Sequence, residues 1–115
     1  MLTNAILLGA SLSGLASAAV FTVSVGAGGA LAFQPSTTTA QIGDTVEFHF
    51  SNVLHSVAQS SANAPCTYNS TGFFSTEQRN TNSVFTVSIT DKEPKYFFCS
   101  VGSHCSSGMV GIINP

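Results

Sequence analysis

Cys99, His104, Cys105 and Met109 all fall within FFCSVGSHCSSGMVG, residues 97–111. Two thiols, an imidazole and a thioether this close together admit three chemistries. They can form a redox pair of cysteines, part of a metal site, or a disulfide knot with incidental neighbours. The spacing is Cys-x4-His-x4-Met, running from the end of an aromatic stretch through a loop rich in Gly and Ser. Gly102 and Gly108 permit the tight turns that would fold three donor atoms toward one point. Thiolate, imidazole and thioether make a soft, asymmetric donor set. One more imidazole would complete a trigonal His₂Cys arrangement with a weak axial Met, the ligand pattern of an electron-transfer copper site.

The chain has three histidines. His55, in SNVLHSV, is the candidate for the missing ligand. It follows a strand-like segment and precedes a short apolar–polar alternation, so it can arrive at the loop from a distant strand end. His49 alternates with Phe48 and Phe50 and shares a strand face with Glu47, so it reads as a solvent-facing residue. The blander alternatives are that Cys99 pairs with Cys105 or Cys66, and that Met109 fills the core at a strand start. If Cys99 is instead the metal thiolate, Cys66 and Cys105 are left to bridge each other. That bridge would pin the ligand loop to the segment around residues 65–68, and the odd cysteine count is explained.

The elements that would position these residues are strands. VFTVSVG (20–26), DTVEFHF (44–50) and SVFTVSIT (83–90) alternate apolar and polar residues with a period of two, the pattern of half-buried strands. KYFFC and GMVGIIN read as two more. GAGG, QIGD and TDKEP supply the turns, and residues 65–80 leave room for a short helix. Several short strands in one small domain give an all-β sandwich or small barrel.

Charge is sparse, with 7% charged residues and a formal net charge of −2. No basic face is available for phosphate neutralisation, so nucleic acid is not expected as a partner. MLTNAILLGASLSGLASAA reads as a secretory signal with a small-x-small cleavage site at Ala16, Ser17 and Ala18. The alternative for this stretch is a short buried helix. The expected division is a signal peptide over 1–18 and one domain over 19–115. The apolar run is too short to span a bilayer, and GIINP carries no lipid-anchor signal. Export places the cysteines in an oxidising compartment, where a disulfide forms.

The segment around Cys99, His104 and Met109 resembles the copper-binding loop of cupredoxins, and its spacing is similar to the phytocyanin branch. In that branch a Cys directly follows the loop His and bridges to a Cys between the first His and the ligand Cys, as His104–Cys105 and Cys66 would here. Secreted fungal cupredoxin-like proteins are more similar still. Their features appear as VGAGG, Phe33-x-Pro35, GDTVEFHF, HSVAQSS, Pro65–Cys66, GFFS and HCSSGMVGIINP, covering essentially the whole of 19–115. The resemblance implies a Greek-key β-sandwich of two sheets. It also implies one Cu(I)/Cu(II) ion held by His55, Cys99 and His104 with axial Met109, and a Cys66–Cys105 disulfide. One departure is Ser56, where phytocyanins usually carry Asn, so the hydrogen bonds that lock the two ligand loops should differ.

The function expected is one-electron transfer by a secreted, monomeric copper protein, not an enzyme. Its partner would be a redox protein or a small-molecule electron donor or acceptor. Three histidines are too few for a multicopper oxidase, and cleavage after Ala18 leaves no N-terminal His for an oxidative polysaccharide-cleaving site. The alternatives are an extracellular copper storage or delivery protein using the same ligands, and a metal-free, disulfide-stapled interaction module. NST at 69–71 fits an N-glycosylation acceptor at Asn69, or else an unused polar turn.

Overall fold

A computed structural model describes residues 17–115. Up to residue 16, the signal peptide expected over 1–18 lies outside the described residues. Among those described, no helix is long and apolar enough to cross a membrane.

The period-two segments form strands where the alternation places them. In chain order these are β1 (Val20–Val25), β2 (Phe33–Gln34), β3 (Thr37–Thr38), β4 (Thr45–Phe50) and β5 (Ala58–Ser61), then β6 (Ala64–Tyr68), β7 (Val84–Ser88), β8 (Lys95–Phe98) and β9 (Val110–Ile113). They build two sheets, ordered β2-β1-β4-β7 and β3-β9-β8-β5-β6. The architecture is an all-β Greek-key sandwich. Each sheet contains one parallel pair: β1 runs alongside β4 from Val20↔Thr45 to Val25↔Phe50, and β3 alongside β9. Short strands of two residues, such as β2 and β3, carry no periodic signal.

The register buries one face of each strand. Val23 and Val25 of β1, Val46, Phe48 and Phe50 of β4, and Val87 of β7 point inward. They meet Phe97, Cys99, Met109 and Ile113 from the second sheet and its loop. Phe97 is the hub between the layers. Its ring stands edge-on to Phe33 at 4.8 Å and to Phe48 at 5.1 Å, the geometry aromatic quadrupoles favour. Its neighbour Phe98 faces the other way, into a small second cluster with Ala58 and Cys105.

The helix entertained within 65–80 does not form. The chain there is β6 followed by an irregular ribbon laid along residues 55–59. Gln59 N–H donates to Phe73 O, Ser75 N–H to Val57 O and Gln78 N–H to His55 O, all at 2.8–2.9 Å. Those backbone groups are satisfied by strand-like partners, and Thr76 adopts a positive φ of 64° that a helix does not accept. Among the described residues the one helical element is a 3₁₀ turn at Ala27–Gly29.

Cys66 and Cys105 are bonded, as expected, with Cα atoms 5.9 Å apart and a sequence separation of 39. The bridge ties β6 to the loop between β8 and β9. In the chain-entropy account, closing a loop of this size stabilises the fold by about 3–4 kcal/mol. Cys66→Ser should therefore lower the unfolding free energy by roughly that amount in a guanidinium titration. A loss below about 1 kcal/mol would show that the loop is held by its own turns instead.

Candidate metal centre

The loop between β8 and β9 is built from turns that satisfy their own backbone. Cys99, directly after β8, donates its N–H to Met109 O at 3.1 Å, closing the loop at its base. His104 N–H donates to Val101 O and Met109 N–H to His104 O, both at 3.0 Å. Gly102 and Gly108 take positive φ values of 48° and 104°, as the tight turns require. The loop thus brings its thiol and imidazole together, with Sγ and Nδ1 3.4 Å apart, while Met109 is fully buried in the main core.

His55 arrives from the connection between β4 and β5. Its carbonyl is held by Gln78 N–H, and its ring lies against Gly26 at the end of β1. A Cβ on residue 26 would stand 2.5 Å from His55 Nε2, so only glycine lets the imidazole lie there. With Nε2 turned toward Gly26, Nδ1 faces Cys99.

The donor atoms converge. Cys99 Sγ lies 3.9 Å from His55 Nδ1 and 3.4 Å from His104 Nδ1. The ligating atoms of the three residues all fall within 4.8 Å of one another. Cys99 is a free, fully buried thiol and His55 is 4% exposed, whereas His104 is only partly buried. Burial, with the second imidazole adding like-charge repulsion, lowers the pKa of His55. The pocket therefore favours the neutral imidazole that metal ligation needs.

Ser56, next to the ligand histidine, joins the two loops. Its N–H points at Cys99 Sγ from 3.4 Å. Its Oγ accepts Ser100 N–H at 2.8 Å and shares a further hydrogen bond with Ser100 Oγ at 2.7 Å. The side chain at this position therefore does lock the loops, but through a hydroxyl and the matching Ser100. The sequence reading marked Ser56 as a departure and overlooked both Ser100 and Gly26. The signals available were a second Ser directly after Cys99 and the Gly-rich run closing β1.

The remaining sequence candidates fall outside the cluster. His49 lies on the outer side of β4, with Nε2 2.9 Å from Glu47 Oε1. Cys105 is in the disulfide. Asn69 sits at the turn after β6, where its Oδ1 accepts the N–H and hydroxyl of Thr71 at 3.2 and 2.9 Å.

A two-sheet sandwich with a His–Cys–His cluster at one pole has recognisable relatives. The family model described as a plastocyanin-like domain matches residues 28–109. The chain belongs to this family, the cupredoxins. A probable GPI-anchored cupredoxin of Arthroderma benhamiae is 35% identical over the whole of this chain, which spans 61% of that protein. An extracellular serine-rich protein of the same fungus is 36% identical over 97% of the chain and 45% of its own length. The cupredoxin thus spans less than two thirds of these curated relatives. Among solved structures, reduced auracyanin from Roseiflexus castenholzii aligns with a TM-score of 0.62 at 16% identity. The alignment covers 85% of this chain and 96% of that one, a likeness of fold.

Two outcomes follow for the metal-free cupredoxin. Ser56→Ala strips Ser100 N–H of its acceptor and should cost about 0.5–1.5 kcal/mol in stability. Amide exchange at Ser100 should rise with it; an unchanged rate would show that the loops are held elsewhere. The second outcome concerns pH. His55 folds with a pKa below its ordinary 6.5, so the unfolded chain binds the proton more readily. Its contribution is fully present above about pH 6.5 and is lost as pH falls toward the lowered value. Urea titrations from pH 8 to 5 should show that fall, and His55→Gln should flatten it.

Proposed function

We propose that this cupredoxin is an exported, mononuclear type 1 copper protein that transfers single electrons. The observation that carries the reading is the convergence of Cys99 Sγ with two imidazole Nδ1 atoms. Bond lengths of about 2.0 Å to nitrogen and 2.3 Å to sulfur place trigonal ligands about 3.7 Å apart. The observed separations of 3.9 and 3.4 Å bracket that value. The donors thus fit one ion of this size with little movement, and thiolate plus imidazole is a set suited to copper.

Bound there, copper supplies a one-electron Cu(I)/Cu(II) couple. The chain's part is to hold the donors in place whichever state is present. Gly26 fixes the His55 ring and the link between Ser56 and Ser100 fixes the spacing of the two loops; Met109, buried in the main core, would supply the thioether. The Ser56 N–H directed at the sulfur withdraws electron density from the thiolate, a lever on the redox potential. His104, partly exposed, is the ligand that reaches toward solvent. A partner, whether a redox protein or a small electron carrier, would meet the monomer on that side.

Export is supported by the leader-like sequence, the disulfide, and relatives described as extracellular or GPI-anchored. In that setting Asn69 is the proposed glycan acceptor. The proposed role is that of a carrier and not an enzyme.

Copper titration of the folded protein is the test. Cu(II) should produce an intense visible thiolate-to-copper band and a narrow hyperfine splitting in EPR. Both should vanish in Cys99→Ser and weaken in His55→Ala. Reversible voltammetry should accompany them. A folded protein that binds no copper would overturn the reading. Copper lost to an acceptor on reduction would favour delivery over electron transfer.

A further inference from the structure

Asp44, at the turn before β4, is 6% exposed, yet among the described residues no basic side chain forms an ion pair with it. The nearby Lys92 ammonium is directed to Ala40 O at 2.9 Å and Gln41 Oε1 at 3.3 Å. Each oxygen of Asp44 instead takes a backbone N–H. Oδ2 accepts Gln41 N–H at 2.8 Å, an ordinary turn contact. Oδ1 accepts Ala19 N–H at 2.9 Å, across 25 residues of sequence. These two N–H groups, with Lys92 adding a weaker attraction, lower the pKa of Asp44 and keep it ionised. Ala19 is held from its other side as well, because its carbonyl accepts Thr45 N–H at 3.0 Å. Residue 19 is thus clamped at both backbone groups, one step before the pairing of β1 with β4 begins at Val20↔Thr45. Ser17 and Ala18, just upstream, are exposed and belong to no strand. They are the last two residues of the small-x-small pattern at 16–18.

We propose that the Ala18–Ala19 peptide bond is a processing site and that Asp44 is the built-in receptor for the amino terminus it releases. The inference rests on the export part of the functional reading and not on the metal. The step is a hydrolysis by an endopeptidase of the export route that cuts after small residues. Water adds across the C–N bond, Ala18 leaves as a carboxylate, and the Ala19 nitrogen becomes an α-ammonium at neutral pH. That nitrogen already sits at hydrogen-bond distance from Asp44, so a neutral N–H···O contact becomes a charge-assisted pair without rearrangement. A cut one residue earlier would carry the charge away from Asp44. A cut one residue later would remove the carbonyl that holds Thr45 N–H. The fold therefore favours Ala19 as the first residue.

The test begins with the full 1–115 chain expressed in a secreting eukaryotic host. Intact mass and N-terminal sequencing of the secreted product should give Ala19 as its first residue. Two precursors are then compared with the parent in guanidinium unfolding. One carries Asp44→Asn; the other has a single glycine inserted between Ala18 and Ala19, so that its product starts one residue early. Each should raise the unfolding equilibrium constant roughly fivefold, the scale of a solvent-screened ion pair. The combined variant should lose no more than the larger single loss. A product beginning at any other residue, or losses that simply add, would overturn the proposal while leaving export intact. A chain kept inside the cell with its leader attached would overturn both. If Asp44→Asn does not accumulate, the insertion alone decides: an unfolding constant equal to that of the parent overturns the proposal.

Discussion

Ser56 and Cys99 are 43 residues apart in sequence, and the hydrogen bond between Ser56 N–H and the Cys99 sulfur brings them together. With Ser100 N–H donating to Ser56 Oγ, it joins the loop that carries His55 to the strand end that carries the thiol. The rest of the pole depends on this join. Without it, His55 would be set only by its contacts with Gly26 and Gln78, and the two loops could drift apart. Distances between donor atoms are a stringent requirement, because a metal accepts only a narrow range of them. A buried network of this kind acts as a spacer only when each polar group in it is satisfied, as Ser56 Oγ and Ser100 N–H are here.

The two cysteines of the ligand loop are sorted by the two faces of one sheet. Phe97 and Cys99 lie in the main core between the sheets, while Phe98 and Cys105 lie in the smaller cluster on the outer side. Because β8 alternates sides at every residue, a thiol that follows it directly joins one layer. The loop's turns then carry the next cysteine to the other. The first thiol stays free and buried among potential ligands; the second is spent on the bridge to β6. A single short loop thereby serves the candidate metal cluster on one side and its own anchor on the other.

The same economy of backbone appears at the opposite pole. Asp44 caps the turn into β4 and also holds Ala19, the residue just before β1, so one carboxylate helps set where the parallel pairing of β1 and β4 begins. Parallel pairs lack a connecting hairpin to fix their register. A side chain that leads into β4 and holds the residue just before β1 supplies, next to the first rung, what the missing turn would otherwise provide.

Much of this protein could be read before any coordinates. The alternation in β1, β4 and β7, the aromatic β8 and the Cys-x4-His-x4-Met spacing are local patterns, and local patterns survive in sequence because pleat and turn act over neighbouring residues. Those alone gave an all-β sandwich or small barrel of short strands, His55, Cys99, His104 and Met109 as a candidate cluster, and His49 as a bystander, and the family resemblance then chose the sandwich. The tertiary structure decided the rest. It paired β1 with β4 in parallel and laid residues 69–78 along residues 55–59 as a ribbon where a helix had been entertained, whereas the Cys66–Cys105 bond is the one the sequence had implied. It also assigned Gly26, Ser56 and Ser100 their tasks at the cluster. Each of those is a contact between segments far apart in the chain. A lone glycine or serine carries no period that announces such a partner; only packing the two sheets together brings Gly26 under His55 and Ser100 against Ser56.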